Sequence, residues 1–282
     1  MPLYKETARD VYLKAGSKGV ALHCDPLVKR GFEQPQWYLD KRSFNIRIRA
    51  ETVKQFLGDL KFENMLDIGC GDGSISVPLL TPNNRLTLLD MSETMLSIAR
   101  SRIPSELASQ VQLVNDHFMQ ARLAPRSYEL IICCGVLAYV DDTRSFVEKL
   151  LSLLKPGGSV IIECTDSSHP VSYLGRLVGR TRSLIIPPKF PLVLHSSSDV
   201  IRTFTRLGFR RCGAFRYSLP PPGVRTLLSQ DSLYKTVRAG FGTPSHNRFP
   251  WLGDECIYHF KHADSKGERV VGSESRALAV KD

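Results

Sequence analysis

"MLDIGCGDGSIS", Met65 to Ser76, sets glycines at three alternate positions, Gly69, Gly71 and Gly73, directly behind an apolar run. An apolar run of that length closed by glycines reads as a buried strand that ends in a tight turn. Glycine serves where the backbone must adopt a left-handed conformation, or where a ligand must approach with no Cβ in its way. Two carboxylates flank the turn, Asp67 before it and Asp72 within it. In an open parallel α/β sheet, ligands sit outside the carboxyl ends of the strands, where this turn falls.

The sequence on either side alternates helix and strand signals. Val53, Phe56, Leu57 and Leu60 recur at helical spacing, which makes "ETVKQFLGDL" an amphipathic helix. "GSISVPLL" reads as a helix in spite of Pro78, whose missing N–H would fall near the helix start. "RLTLLD", "VQLV", "YELIICC" and "SVIIEC" read as strands. Between them, "SETMLSIARSRI" and "TRSFVEKLLSLL" read as helices, the first capped by Ser92 and the second stopped by "KPGG". Further on, "SSDVIRTFTRLGF" is a helix, and "FRRCGAFRY" and "ECIYHF" are late strands. Continuous Val/Ile/Leu strands alternating with helices predict a doubly wound, mostly parallel α/β sheet covered on both faces.

Residues 51–262 are expected to form the main domain, preceded by an N-terminal lid or substrate segment over 1–50 and followed by a flexible tail over 263–282. Two stretches break the rhythm, 165–196 and 218–253, and are expected to be cap insertions. The chain carries a formal charge of +10, and residues 165–250 hold 13 basic against 3 acidic side chains. Such an excess suits an anionic partner or a solvated surface. The arginines are dispersed, without the dense run of a nucleic-acid arm. Seven cysteines with no C-x-x-C pair read as reduced thiols, and no apolar stretch approaches the roughly 18 residues of a membrane span. A cytoplasmic location is the expectation.

Asp90 ends the second strand 19 residues after Gly71, where a carboxylate can accept from both hydroxyls of a ribose. It also reads as the cap of the next helix. The dinucleotide fingerprint wants a small residue, usually glycine, at its sixth position, whereas "GCGDGS" has glycine fifth and serine sixth. A pyrophosphate would also meet Asp67 and Asp72. A ligand with a sulfonium or ammonium group and no phosphate suits those acids better.

In order over residues 65–162, these segments resemble the motifs of class I S-adenosylmethionine-dependent methyltransferases, in particular the small-molecule enzymes of the ubiquinone and sugar O-methyltransferase group. "LDIGCGDG" resembles the first motif, "LTLLDMSETML" the second, "NDHF" the third, "YELIICCGVLAYVDD" the fourth and "LLKPGGSVII" the fifth. The resemblance implies S-adenosylmethionine as cofactor and a seven-stranded sheet whose last strand, "ECIYHF", is antiparallel. It also implies that Asp67, Gly69 and Gly71 line the methionine part of the cofactor. Asp90 would hold the ribose, Met91 would pack on adenine, and Asp116 would accept from the adenine amino group with His117 beside it. Cys134 or Gly135 would touch the methionine moiety through the backbone, and Tyr38, Phe44 and Arg47 are candidates to close over the cofactor from the N-terminal side. "LAYV" stands where relatives often carry Glu-His, so no metal site is expected. The Asn/Asp-Pro-Pro-aromatic sequence of nucleobase methyltransferases is also lacking.

Methyl transfer needs mainly alignment, and a base only where the acceptor must lose a proton. The candidates for that base are Tyr139, His169 and His195. The expected acceptor is a small molecule with an apolar body, for which an anionic group would suit the basic insertions. Oxygen is preferred to nitrogen or carbon of a natural product or lipid as the methylated atom. A non-catalytic or RNA-binding module of the same fold and a nicotinamide-dependent dehydrogenase are the alternatives from other classes.

Overall fold

The computed structural model describes residues 36–172 and 193–263. Residues 1–35 of the expected N-terminal segment, 173–192 of the first expected insertion and 264–282 of the expected tail lie outside the described residues. A long helix, α1 (Gln36–Leu57), leads into β1 (Asn64–Ile68). Then follow β2 (Arg85–Asp90), α2 (Glu93–Ser101), β3 (Val111–Asn115), β4 (Tyr128–Cys133), α3 (Thr143–Leu153) and β5 (Leu154–Thr165). After the gap come α4 (Ser197–Arg206), β6 (Phe209–Tyr217), α5 (Pro222–Leu227) and α6 (Gln230–Phe241). Two-residue strands β7 (Gly242–Thr243) and β8 (His246–Asn247) pair with each other before β9 (Glu255–His262).

Seven strands form one sheet in the order β3-β2-β1-β4-β5-β9-β6. All pairs are parallel except those of β9, which runs antiparallel to both β5 and β6. The expected doubly wound sheet with an antiparallel last strand is therefore what forms. Strand order reverses between β1 and β4, so the carboxyl ends of those two strands open onto the crevice where ligands bind in such folds.

Alternation along the strands sorts side chains to the two faces. Leu66, Ile68 and Ile131 join the core under α3 and α4, with Phe146, Leu150, Val200 and Phe204. Met65, Leu130 and Ile132 join the core under α1, α2 and α6, with Phe44, Ile48, Leu96 and Leu233. Ser92 caps α2 by accepting from the Met95 N–H at 3.2 Å, as its sequence position suggests.

Three local expectations change. The segment after the glycines is a series of turns ending in one 3₁₀ turn, Val77–Leu79, not a helix. Pro78 supplies no N–H there, and Asn84 pulls the chain round by accepting from the Thr81 N–H and donating to the Leu79 carbonyl. The helix expected over 51–60 begins upstream at Gln36 and stops at Leu57, because Gly58 turns left-handed (φ 50°) and leaves Leu60 half exposed. Third, the stretch 218–253 is not simply a projecting cap. Its helix α6 lies against α1 and buries Leu233 and Val237 in the core. Among the described residues no helix is long and apolar enough to cross a membrane.

Candidate functional site

The glycine turn is built by β1 and β2 together. The N–H groups of Gly69 and Cys70 both donate to the Leu89 carbonyl, at 2.8 and 3.1 Å, which folds the chain back over the end of β2. Gly69, Gly71 and Gly73 all have left-handed φ, of 63°, 55° and 73°. A Cβ on Gly69 would lie 2.3 Å from Val136 Cγ2, whereas one on Gly71 would meet nothing within 4 Å. Gly71 thus borders open space, a cradle that a side chain would fill.

Asp90 fixes that cradle. Its Oδ2 accepts from the Gly71 N–H at 2.9 Å and its Oδ1 from the Ser92 N–H at 2.8 Å. Burial raises the Asp90 pKa against the lowering effect of those bonds. Beneath the turn, Asp67 is buried and accepts from the Ser76 hydroxyl at 2.5 Å. Burial, partly offset by that bond and reinforced by the charges of Asp90 and Asp72, pushes its pKa up to about 7. Asp72 is held by Arg102 at 2.7 Å. Arg102 balances Asp72, so Asp90, with Asp67 beneath it, is what makes the turn a poorer seat for a phosphate than for a cation.

A cavity opens from this turn across the ends of β1, β2 and β4. Gly69, Gly71, Asp90, Met91, His117, Cys134, Gly135 and Tyr139 line it, with an apolar wall that includes Met95, Phe118, Val136 and Phe146. Burial pushes the Cys134 thiol well up, so that side chain is no ready nucleophile. Asp116 stands beside this wall without lining it, and its carboxylate accepts from the His117 N–H at 2.7 Å.

Other expected residues lie elsewhere. Arg47 is on the outer face of α1, bonded to Glu51 at 3.0 Å and stacked over the Tyr234 ring at 3.7 Å. Phe44 is fully in the core. The Tyr38 side chain lies outside the described residues. Both histidines have their ring nitrogens engaged by protein groups. His195 Nε2 lies 3.0 Å from the Leu137 carbonyl, which can only accept, so Nε2 carries the proton and Nδ1 accepts from the Thr143 hydroxyl at 3.2 Å. By the same logic His169 donates from Nε2 to the Trp251 carbonyl at 2.9 Å and accepts at Nδ1 from the Val171 N–H at 3.3 Å. Neither lines the cavity.

The basic residue of α1 that does reach the site is Arg49, which the sequence reading passed over. Its guanidinium lies 3.3 Å from the Cβ position of Gly135 and grips Glu163 through two nitrogens, at 2.6 and 2.9 Å. The single Tyr217 hydroxyl proton is shared between Asn45 Oδ1 at 2.7 Å and Glu163 Oε1 at 3.0 Å, so Asn45, Arg49, Glu163 and Tyr217 form a largely buried polar row over the ends of β5 and β6. Helical spacing carries the signal. Asn45, Arg49 and Thr52 are polar residues at i, i+4 and i+7, a face buried here, while Arg47 shares the outer face with Glu51.

Residues 66–160 match the model of a family described as a methyltransferase domain. The ubiquinone biosynthesis O-methyltransferase of Alkalilimnicola ehrlichii is 32% identical over 146 residues, covering 50% of this chain and 57% of that protein. The demethylmenaquinone methyltransferase of Lactococcus lactis is 30% identical over 125 residues, covering 43% and 48%. The chain spans about half the length of the curated relatives it matches. Among solved structures, magnesium protoporphyrin IX methyltransferase from Synechocystis with bound S-adenosylhomocysteine aligns with a TM-score of 0.59 at 17% identity. That alignment covers 86% of this chain and 98% of that one, and it is a likeness of fold.

Proposed function

We propose that this chain, which carries a class I S-adenosylmethionine-dependent methyltransferase domain resembling the ubiquinone O-methyltransferase group, moves a methyl group to a hydroxyl oxygen of a small molecule. The observation that carries the reading is the cradle at Gly71, open in front and fixed from behind by Asp90, in a turn ringed by acids. Those acids suit a sulfonium and oppose a pyrophosphate, which separates this reading from a nicotinamide dehydrogenase. When bound, S-adenosylmethionine supplies an electrophilic methyl carbon on sulfur.

The chain's own residues would then do four things. Asp90 accepts from the ribose hydroxyls through lone pairs left by Gly71 and Ser92. Met91 packs on adenine beside His117, whose backbone N–H Asp116 holds from behind the wall. The backbones of Gly69, Gly71, Cys134 and Gly135 border the methionine moiety, and Asp67 beneath them adds negative potential. Tyr139, on the cavity wall, contacts the acceptor, while His169 and His195 hold the chain segments on which their ring nitrogens are spent.

Incubation with methyl-labelled donor and matched phenols, amines and thiols tests the reading. Label in the phenols alone is expected, and Tyr139→Phe should lower turnover without changing S-adenosylhomocysteine affinity. Label confined to amines or thiols would overturn the assignment to oxygen.

A further inference from the structure

A separate cavity of about 540 Å³ opens at the amino ends of the strands, the edge of the sheet opposite the crevice just described. Along β2 the two are separated by the steps from Arg85 to Asp90, about 17 Å at roughly 3.3 Å per residue. The floor of this cavity is polar where a strand covered by helices is ordinarily apolar. Thr87 of β2 stands opposite Gln112 of β3, and the Tyr128 hydroxyl donates to the Thr87 hydroxyl at 3.4 Å. Thr87 and Tyr128 are both buried.

Arg85, Arg126 and Lys155 line the cavity, and no acid is among its lining residues. Lys155 is spent on Glu129, which also accepts from the Asn64 N–H at 2.7 Å. Arg85 and Arg126 form neither an ion pair nor a side-chain hydrogen bond among the described residues. They approach from either side of β1, for Arg85 opens β2 opposite Asn64 and Arg126 sits two residues before β4. With β1 between them, β2 and β4 run about 9.6 Å apart, at roughly 4.8 Å per step, a gap that a phosphate between two guanidiniums spans. Arg126 is also the one non-glycine residue among those described with a left-handed backbone, at φ 49°. Its N–H donates to the Ser152 carbonyl at 3.0 Å and the Ser127 N–H to the Leu153 carbonyl at 2.9 Å, which holds it there. The chain thus keeps a cation where its backbone favours glycine.

We propose that this cavity is a second ligand site, for a phosphate monoester carried on a polyhydroxy body, as in a sugar phosphate. Two unspent guanidiniums with no acid beside them match the charge of a phosphate monoester near neutral pH and the geometry of its oxygens. The side chains of Thr87, Gln112 and Ser127 offer hydroxyl and amide groups to the hydroxyls of the body, and the volume lies within the roughly 300–1,000 Å³ of small-molecule sites.

Calorimetry on the full chain tests this with ribose 5-phosphate, ribose and inorganic phosphate, each titrated with and without saturating S-adenosylhomocysteine. Ribose 5-phosphate should bind at least about tenfold more tightly than either fragment, with the same affinity in both conditions. Arg85→Gln and Arg126→Gly should each weaken it about tenfold, the loss of one charge-assisted hydrogen bond, and leave S-adenosylhomocysteine affinity unchanged. Because glycine adopts the left-handed backbone without strain, Arg126→Gly should melt close to the parent chain, which separates lost binding from lost folding. No binding of ribose 5-phosphate at millimolar concentration, its displacement by S-adenosylhomocysteine, equal affinity for inorganic phosphate, or affinity that ignores both arginines would each overturn the site.

Discussion

Gly69 and Gly71 share a left-handed backbone, but a methyl group at each would be felt differently. At Gly71 an alanine has room and pays only for its conformation, about 1–2 kcal/mol, while its Cβ fills the ligand's space. At Gly69 the same strain is joined by contact with Val136, adding about 1–3 kcal/mol of overpacking. Urea unfolding should therefore rank Gly69→Ala as the less stable variant, whereas calorimetry should show Gly71→Ala losing S-adenosylhomocysteine affinity with the milder loss of stability. Asp67 gives a pH signature. Its folded pKa of about 7 lies above its unfolded value, so between about pH 4 and 7 the folded state binds more protons, and stability falls as pH rises. Asp67→Asn should flatten that slope and raise the melting temperature at pH 8 more than at pH 5; identical slopes would contradict the buried, partly protonated acid. Spacing alone made the glycines and Asp90 legible. Arg49 was hidden because the motif pointed to a basic residue on the entering helix, and only the buried face of α1 distinguishes it from Arg47.

Helix α1 is fastened to the sheet by the Arg49–Glu163 pair as well as by its apolar face. Removing one partner strands the other charge, so Arg49→Met should cost about 3–5 kcal/mol, and Glu163→Leu added to it should recover much of that loss in urea titrations. Within 218–253 the two helices differ in kind. Leu233 on α6 is fully buried and Leu227 on α5 is 84% exposed. Leu233→Ala should cost about 2–5 kcal/mol and Leu227→Ala less than about 0.5 kcal/mol, measured in the same way. A small loss at Leu233 would return the whole stretch to the role of a detachable cap. The strands were readable because continuous apolar runs between glycine and polar turns have few other solutions. The 3₁₀ turn at Val77–Leu79 was not, since a Pro near a helix start is ordinarily tolerated and the turn made by Asn84 is a tertiary choice.

Across the molecule, the order of strands brings the glycine turn of β1, the acid of β2 and the Cys134–Gly135 pair after β4 to a single crevice. None of these is near the others in sequence, yet a doubly wound sheet has one switch point and the motifs are spaced to meet there. The histidines illustrate the limit of that logic. Topology put His169 and His195 after β5, on the side of the acceptor, but their ring nitrogens are consumed by two carbonyls, a hydroxyl and a backbone N–H that no pattern announces. The basic excess of residues 165–250 likewise resolves into particular partners, such as Arg216 on Asp166 and Arg238 on Glu51. The most direct measurement is calorimetric titration of the full chain with S-adenosylhomocysteine, with NAD as parallel ligand and Asp90→Ala as control. Binding of S-adenosylhomocysteine alone, weakened about tenfold or more in Asp90→Ala by the lost charge-assisted hydrogen bonds, is the predicted result. Binding of NAD, or affinity for S-adenosylhomocysteine that ignores Asp90, would contradict the account.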